Sequence, residues 1–92
     1  MKNKLKNLTK ILKTTEVVPA EINGIRMYLA VCFLGFKGED VAKKLAVDYK
    51  RVRHFVTVYG LKLQKDKTFI SLMKSVVKEY NGIKQQQLEL VA

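Results

Sequence analysis

The chain has 92 residues, with 18 lysines and arginines against 8 aspartates and glutamates, and a formal net charge of +10. This length allows one small domain, and a hydrophobic content of 48% is enough to fold it, which excludes a disordered basic tail. The single cysteine excludes an internal disulfide, and no apolar run reaches the ~20 residues of a membrane-spanning helix. The charge favours a polyanionic partner, nucleic acid first and an anionic membrane surface second.

Helical spacing of apolar residues runs through the chain, so we predict an all-α fold, a small bundle of about five helices. The first helix is predicted over 2–13, with aliphatic residues on one face and lysines on the other. The second is predicted over 19–34, with Pro19 in its first turn and Gly35 as its stop. This helix is apolar nearly all round, so we expect it at the centre of the fold and its Cys32 to be a buried thiol.

Three further helices are predicted, over 39–46, 49–64 and 67–80. Gly60 favours a kink or an early end in the middle one. Asp66 is expected to cap the last one, and Asn81-Gly82 to close it. We interpret the glycines as breaks in the pattern, at positions 24, 35, 38, 60 and 82. The domain layout is an amphipathic N-terminal helix (1–14), a core (19–80) and a tail (83–92) that is a short helix, a dimer contact or a frayed end.

The segment 41–55 has the ordered pattern of a helix-turn-helix, the unit that places its second helix in the major groove of DNA. Ala42 is small where the second helix has to pass, and Asp48 can cap that helix. Ala46 stands in the turn, where glycine is usual because a positive φ is often needed, so alanine suggests a slightly different turn. The residues expected to face inward are Val41, Leu45, Val47, Val52 and Phe55.

The side chains left on the outside of this motif can contact DNA. The second helix has no acidic residue over 49–64, and lysine and arginine suit phosphates and the acceptors of guanine. The DNA-contacting residues predicted on this helix are Tyr49, Lys50, Arg51, Arg53 and His54. Lys37, Lys43 and Lys44 flank the first motif helix and are predicted to hold phosphates, while Arg26 is predicted to reach the DNA backbone or the minor groove. For any single lysine, a solvated charge is the simpler alternative.

The sequence contains no catalytic constellation and no glycine loop that would cradle a phosphate. One histidine and one cysteine do not make a metal-ligand set. We therefore predict a protein that is not an enzyme and that has no cofactor, metal or small-molecule substrate. No secretory signal is visible, which favours the cytoplasm and association with the nucleoid.

Three stretches of the sequence can be compared with a known family: 25–30 (Ile-Arg-Met-Tyr-Leu-Ala), 39–45, and 48–54 (Asp-Tyr-Lys-Arg-Val-Arg-His). They resemble the C-terminal DNA-binding domain of the bacterial replication initiator DnaA, of the TrpR-like superfamily, and the resemblance covers about 21–80. The stretch 48–54 is similar to the family's Asp-His-Thr-Thr-Val-Leu-His. The resemblance implies an all-helical domain that docks on duplex DNA.

Departures from that family concern the residues that read DNA. Its His-Thr-Thr is Tyr49-Lys50-Arg51 here, and the position of its minor-groove arginine falls on Asn23, which the resemblance therefore places among the DNA contacts. The ATPase domain is absent from this sequence. The resemblance thus implies neither initiator activity nor the initiator's binding sequence.

Double-stranded DNA is accordingly the predicted partner, and regulation of transcription or replication, in a phage or mobile element, is the role expected of a small protein with such a motif. An alternative is a membrane-surface module that uses the lysine-rich amphipathic first helix. Another is a protein-binding module, for example an inhibitor that occupies another factor. A homodimer also stays open.

Overall fold

The computed structural model describes the backbone of residues 2–15 and 17–91 and the side chains of residues 3–15 and 17–82. That part of the chain contains five α-helices and no strand, which confirms the all-α prediction. The helices are α1 (Lys2–Thr14), α2 (Ile22–Cys32), α3 (Gly38–Leu45), α4 (Tyr49–Lys65) and α5 (Lys67–Val91), and a 3-10 turn (Pro19–Glu21) precedes α2.

Helix α1 is amphipathic as predicted, and its apolar face is fully used. Leu5, Leu8, Ile11 and Leu12 are buried, while its described lysines are exposed. This face packs against α2 and α5. Because the aliphatic side chains of α1 are part of the core, α1 is an integral element of the bundle.

Helix α2 is shorter at both ends than the predicted 19–34. Pro19 opens a 3-10 turn instead of the α-helix itself, and the α-helix ends at Cys32. The chain then turns at Gly35, where φ is 78°, and the Phe36 N–H donates to the Ala30 carbonyl at 3.0 Å. A left-handed glycine that lets later N–H groups reach carbonyls of the last turn is a common helix ending.

The core consists of two clusters that meet at the half-buried Phe55. One cluster lies between α1, α2, α4 and α5, and the other joins α2 to α3 and the start of α4. Helices α2 and α4 approach closely at Gly24, where an added Cβ would lie 2.8 Å from the Phe55 ring and 2.9 Å from that of Tyr59. Gly24 is therefore a packing position inside α2, and its interpretation as a break was wrong.

The last two helices are longer than predicted. Helix α4 continues through Gly60 to Lys65, so it does not end early at the glycine. Asp66 caps α5 as predicted, accepting from the Phe69 N–H at 3.1 Å. Helix α5 does not close at Asn81-Gly82, because good helix formers follow the glycine and offset its cost of about 1 kcal/mol. The predicted tail 83–92 lies outside the described side chains, and the backbone of 83–91 continues α5.

Within the part of the chain that the structure describes, no helix has the length and apolar content needed to cross a bilayer.

Candidate nucleic-acid interface

A three-residue turn, 46–48, connects α3 to α4 and fixes how α4 begins. Ala46 has a left-handed backbone (φ 55°, ψ 45°), and the Val47 N–H donates to the Ala42 carbonyl at 3.0 Å. Asp48 caps α4 as predicted, because its Oδ1 accepts from the Lys50 N–H at 3.0 Å. The expectation that Ala46 signals a different turn was wrong: the hydrogen bonds require positive φ, and alanine adopts it.

The inner side of this unit is closely packed. Val41 and Val52 are fully buried and lie with Ala42 in the cluster that α2 completes. At the start of α3, a Cβ on Gly38 would lie 2.8 Å from the Tyr49 ring, so the tyrosine packs over the first residue of α3. The inward-facing residues that were predicted are in contact with the core, although Leu45, Val47 and Phe55 are only partly buried.

The outer side of α4 presents its basic residues at the N-terminal end. Lys50 and His54 are exposed one turn apart, about opposite the buried Val52 on a helix with 3.6 residues per turn. Arg51 and Arg53 are also exposed and lie on the two flanks. We call these four residues the basic crest of α4. It combines the planar donor groups of arginine with an ammonium and an imidazole, which are the groups that contact phosphates and base edges.

An aromatic ring one turn away lies beside each arginine of the basic crest. The Arg51 guanidinium carbon is 6.0 Å from the centre of the Phe55 ring, and that of Arg53 is 6.0 Å from the Tyr49 ring. The His54 ring lies edge-on to Phe55 at 5.3 Å. At exposed sites such cation–π contacts contribute roughly 0.5–1 kcal/mol, enough to favour one orientation of each arginine.

Further along α4 the exposed face becomes apolar. Val58 is 40% exposed and Leu61 is 53% exposed, although the helix continues unbroken to Lys65. The basic residues of α4 therefore fall in two groups, the basic crest at its start and Lys62 and Lys65 in its last turn, with an apolar stretch between them. Sequence reasoning missed this boundary, although the lack of lysine and arginine over 54–61 signals it.

The three lysines predicted to hold phosphates fall at opposite ends of α3. Lys43 and Lys44 are exposed in its last turn, where their charge is favourable at the helix C-terminus. Lys37 is exposed at the N-terminal end, next to Glu39 and Asp40 of the first turn. Glu39 and Asp40 therefore oppose an anion near Lys37, whereas the last turn of α3 contains no carboxylate.

Arg26 and Asn23 lie one turn apart on α2 and bind each other. One Nη of Arg26 donates to Asn23 Oδ1 at 2.9 Å and the other to Thr9 Oγ1 of α1 at 3.3 Å. Arg26 is half-buried, and this burial lowers the pKa of its guanidinium from the ordinary value. Asn23 is exposed, so its amide nitrogen stays accessible while its oxygen orients Arg26.

Most acidic residues that the structure describes serve helix starts or an ion pair. Asp48 and Asp66 cap α4 and α5, and Glu39 and Asp40 lie in the first turn of α3. The Glu21 carboxylate pairs with the Lys62 ammonium at 3.8 Å. Helix α4 itself therefore contributes no carboxylate beyond its Asp48 cap, and its one described ion pair, Lys62 with Glu21, lies in its last turn.

Cys32 is exposed, so the prediction of a buried thiol was wrong. It is the last residue of α2 and lines an apolar groove with Phe33, Leu63 and Met73. The helix ends before a further turn could cover the thiol, although partial burial in the groove still raises its pKa. Such a groove between three helices depends on tertiary packing, so no local pattern in the sequence indicates it.

Comparison with protein-family models, with curated proteins and with solved structures finds no match for this chain. The assignment of a function therefore depends on the chemistry of the surfaces described above.

Proposed function

We propose that the protein binds double-stranded DNA through a helix-turn-helix formed by α3 and α4, with the N-terminal half of α4 in the major groove. The observation that carries the proposal is the basic crest: Lys50, Arg51, Arg53 and His54 are all exposed on one helix end. The turn before it, with the left-handed Ala46 and the Asp48 cap, supports this interpretation because a helix-turn-helix joins its two helices by a short turn of this length.

The remaining predicted contacts have distinct roles in this proposal. Lys43 and Lys44 hold backbone phosphates beside the groove that α4 enters, and Lys37 holds one more at the far end of α3. Tyr49 packs against α3 and positions Arg53, so it acts mainly through its neighbour. Asn23 and Arg26 lie on α2 and extend the contact toward the backbone or minor groove.

We propose that the protein regulates transcription or replication by occupying a DNA site, since the sequence offers no catalytic constellation. The resemblance to the DnaA domain supports docking on a duplex. Because Tyr49-Lys50-Arg51 differ from the base-reading residues of that family, we expect a target sequence different from the initiator's.

The membrane-surface alternative loses its main argument because a helix that lies on a bilayer has to insert an apolar face. The leucines of α1 are in the core, and Leu8 and Leu12 have no exposed surface at all. A contact with an anionic membrane would thus depend on the lysines alone.

Lys50→Ala combined with Arg51→Ala tests the proposal. Duplexes are first selected from a random pool, and affinity is then measured by fluorescence anisotropy. We expect the double variant to bind about 10- to 1000-fold more weakly, since it removes one or two base contacts that are each worth roughly 1–3 kcal/mol.

Lys65→Ala combined with Lys67→Ala is the matched control, since it removes the same charge from exposed positions at the other end of α4 and the start of α5. It should retain most of the affinity. If both double variants bound the selected duplex as tightly as the unmodified protein, α4 would not be the recognition helix.

A further inference from the structure

A second basic surface lies away from the crest of α4, in a cleft between α1, α2 and α3. Five positively charged side chains line it, and no acidic residue is among the lining residues that the structure describes. We call it the α1 cleft. Its charged residues are Lys6, Lys10 and Lys13 of α1, Arg26 of α2 and Lys44 of α3, and Leu5, Thr9 and Leu45 complete the lining.

The lysines of α1 fall in the cleft because of their spacing. Lys6, Lys10 and Lys13 are four and three residues apart, which places them on one side of the helix, and all are exposed. Like charges at this spacing repel each other and destabilise a helix. A bound anion between them would convert this repulsion into attraction.

Arg26 supplies a charge that lacks a counter-charge within the described part of the chain. Its two Nη groups donate to neutral oxygens of Thr9 and Asn23, and its Nε is buried without a hydrogen-bond partner. A half-buried guanidinium is poorly solvated, so its charge favours an anion at the accessible side of the cleft. This is the chemistry that arginine uses to bind phosphate.

Lys44 joins the α1 cleft to the proposed DNA-binding unit. It lies in the last turn of α3, two residues before the left-handed Ala46 that leads into α4. If a duplex contacts the basic crest and Lys43, the phosphates next to that site would therefore lie near α1.

We propose that the α1 cleft binds a phosphate of the DNA backbone next to the site that α4 reads. The inference rests on the proposed function, and it adds Lys6, Lys10 and Lys13 to the contact surface. The cleft has a volume of about 450 Å³, which also suits a small ligand, so a free anion is the competing source of the same chemistry.

Lys6→Gln combined with Lys10→Gln tests the cleft, and Lys74→Gln combined with Lys78→Gln on α5 is its matched control. Both pairs are exposed, are spaced by four residues and lower the formal charge of +10 by two. Glutamine has nearly the helix propensity of lysine, so the fold is retained. The measurement is the slope of log affinity against log salt for the selected duplex.

We expect the α1 variant to bind about tenfold more weakly near 0.1 M salt and its slope to be shallower by roughly 0.9 for each phosphate that it no longer neutralises. The α5 variant should keep the slope of the unmodified protein. Equal slopes in all three proteins would overturn the cleft proposal, even where the Lys50 and Arg51 variant confirms the proposed function. Absence of duplex binding by the unmodified protein would instead remove both proposals.

Two further arms identify the source of the phosphate. In the first, inorganic phosphate is added and the melting temperature is measured. If phosphate raises it for the unmodified protein but not for the α1 variant, and the slopes on DNA are unchanged, the cleft binds a free anion. In the second, the protein is sedimented with phosphatidylserine vesicles. If co-sedimentation depends on Lys6 and Lys10 while the α1 variant binds DNA as the unmodified protein does, the cleft binds a lipid headgroup. Either result overturns the assignment to DNA.

Discussion

Ala46 is the residue on which the geometry of the α3–α4 turn depends. In the described chain it is the only residue other than glycine with a positive φ. A left-handed backbone costs an L-residue roughly 1–2 kcal/mol, because Cβ approaches the following carbonyl oxygen. The turn retains that strain because its hydrogen bonds and the burial of Val41 and Val52 hold both helices in place.

Ala46→Gly should raise the free energy of unfolding by about 1 kcal/mol, because the relief of strain exceeds the added entropy of the unfolded chain. Urea unfolding followed by circular dichroism measures this. Ala42→Gly, the same change inside α3, should instead destabilise by at least about 1 kcal/mol. Destabilisation of similar size by both substitutions would contradict the left-handed turn.

At the scale of single helices, the prediction from sequence was most accurate where the determining chemistry is local. The caps by Asp48 and Asp66 depend on a carboxylate next to a helix start, and both are observed. The predicted end of α5 at Asn81-Gly82 failed because one glycine does not outweigh the helix-forming residues that follow.

Features that depend on how helices meet could not be predicted in the same way. Cys32 follows an apolar pattern along α2, yet its exposure is decided by where the helix ends. The contact of Arg26 with Thr9 joins residues 17 positions apart, and no local pattern indicates it. For the candidate site, the exposed residues of α4 were predictable from periodicity, whereas the α1 cleft needed the packing of three helices.

Helix α1 should behave as part of the core in stability measurements. Leu8 has no exposed surface, so Leu8→Ala should lower the free energy of unfolding by about 2–5 kcal/mol. Lys10→Ala, two positions away on the exposed side, should change it by less than about 0.5 kcal/mol. If Leu8→Ala unfolded with the same urea midpoint as the unmodified protein, α1 would be a detachable helix.

The molecule as a whole carries far more positive than negative charge, and its stability and its proposed binding respond oppositely to salt. Among the described residues there is one ion pair within 4 Å, between Lys62 and Glu21. Repulsion between the remaining cations opposes the compact state. Salt screens that repulsion, and it equally screens the attraction to a duplex.

Raising sodium chloride from about 0.05 to 0.3 M should therefore raise the free energy of unfolding, on the order of 1 kcal/mol. Over the same range, DNA affinity should fall with a log–log slope of about −5 to −7 if 6–8 phosphates are contacted. Urea titrations and anisotropy titrations at matched salt give the two quantities.

Lys74→Glu combined with Lys78→Glu lowers the formal charge of +10 by four, so its stability should gain less from salt. A fall in stability with salt would show instead that attractive pairs dominate the surface.

The exposed thiol at the end of α2 makes the protein suitable for fluorescence work without further substitution. Cys32 is the only cysteine in the sequence, and it shares its groove with Leu63, which lies about 20 Å along α4 from Lys50 at 1.5 Å per residue. A maleimide dye there would stand clear of the basic crest and could report energy transfer from a labelled duplex. Because thiolate is the reactive form and burial raises this thiol's pKa, coupling will be faster at mildly alkaline pH than at neutrality.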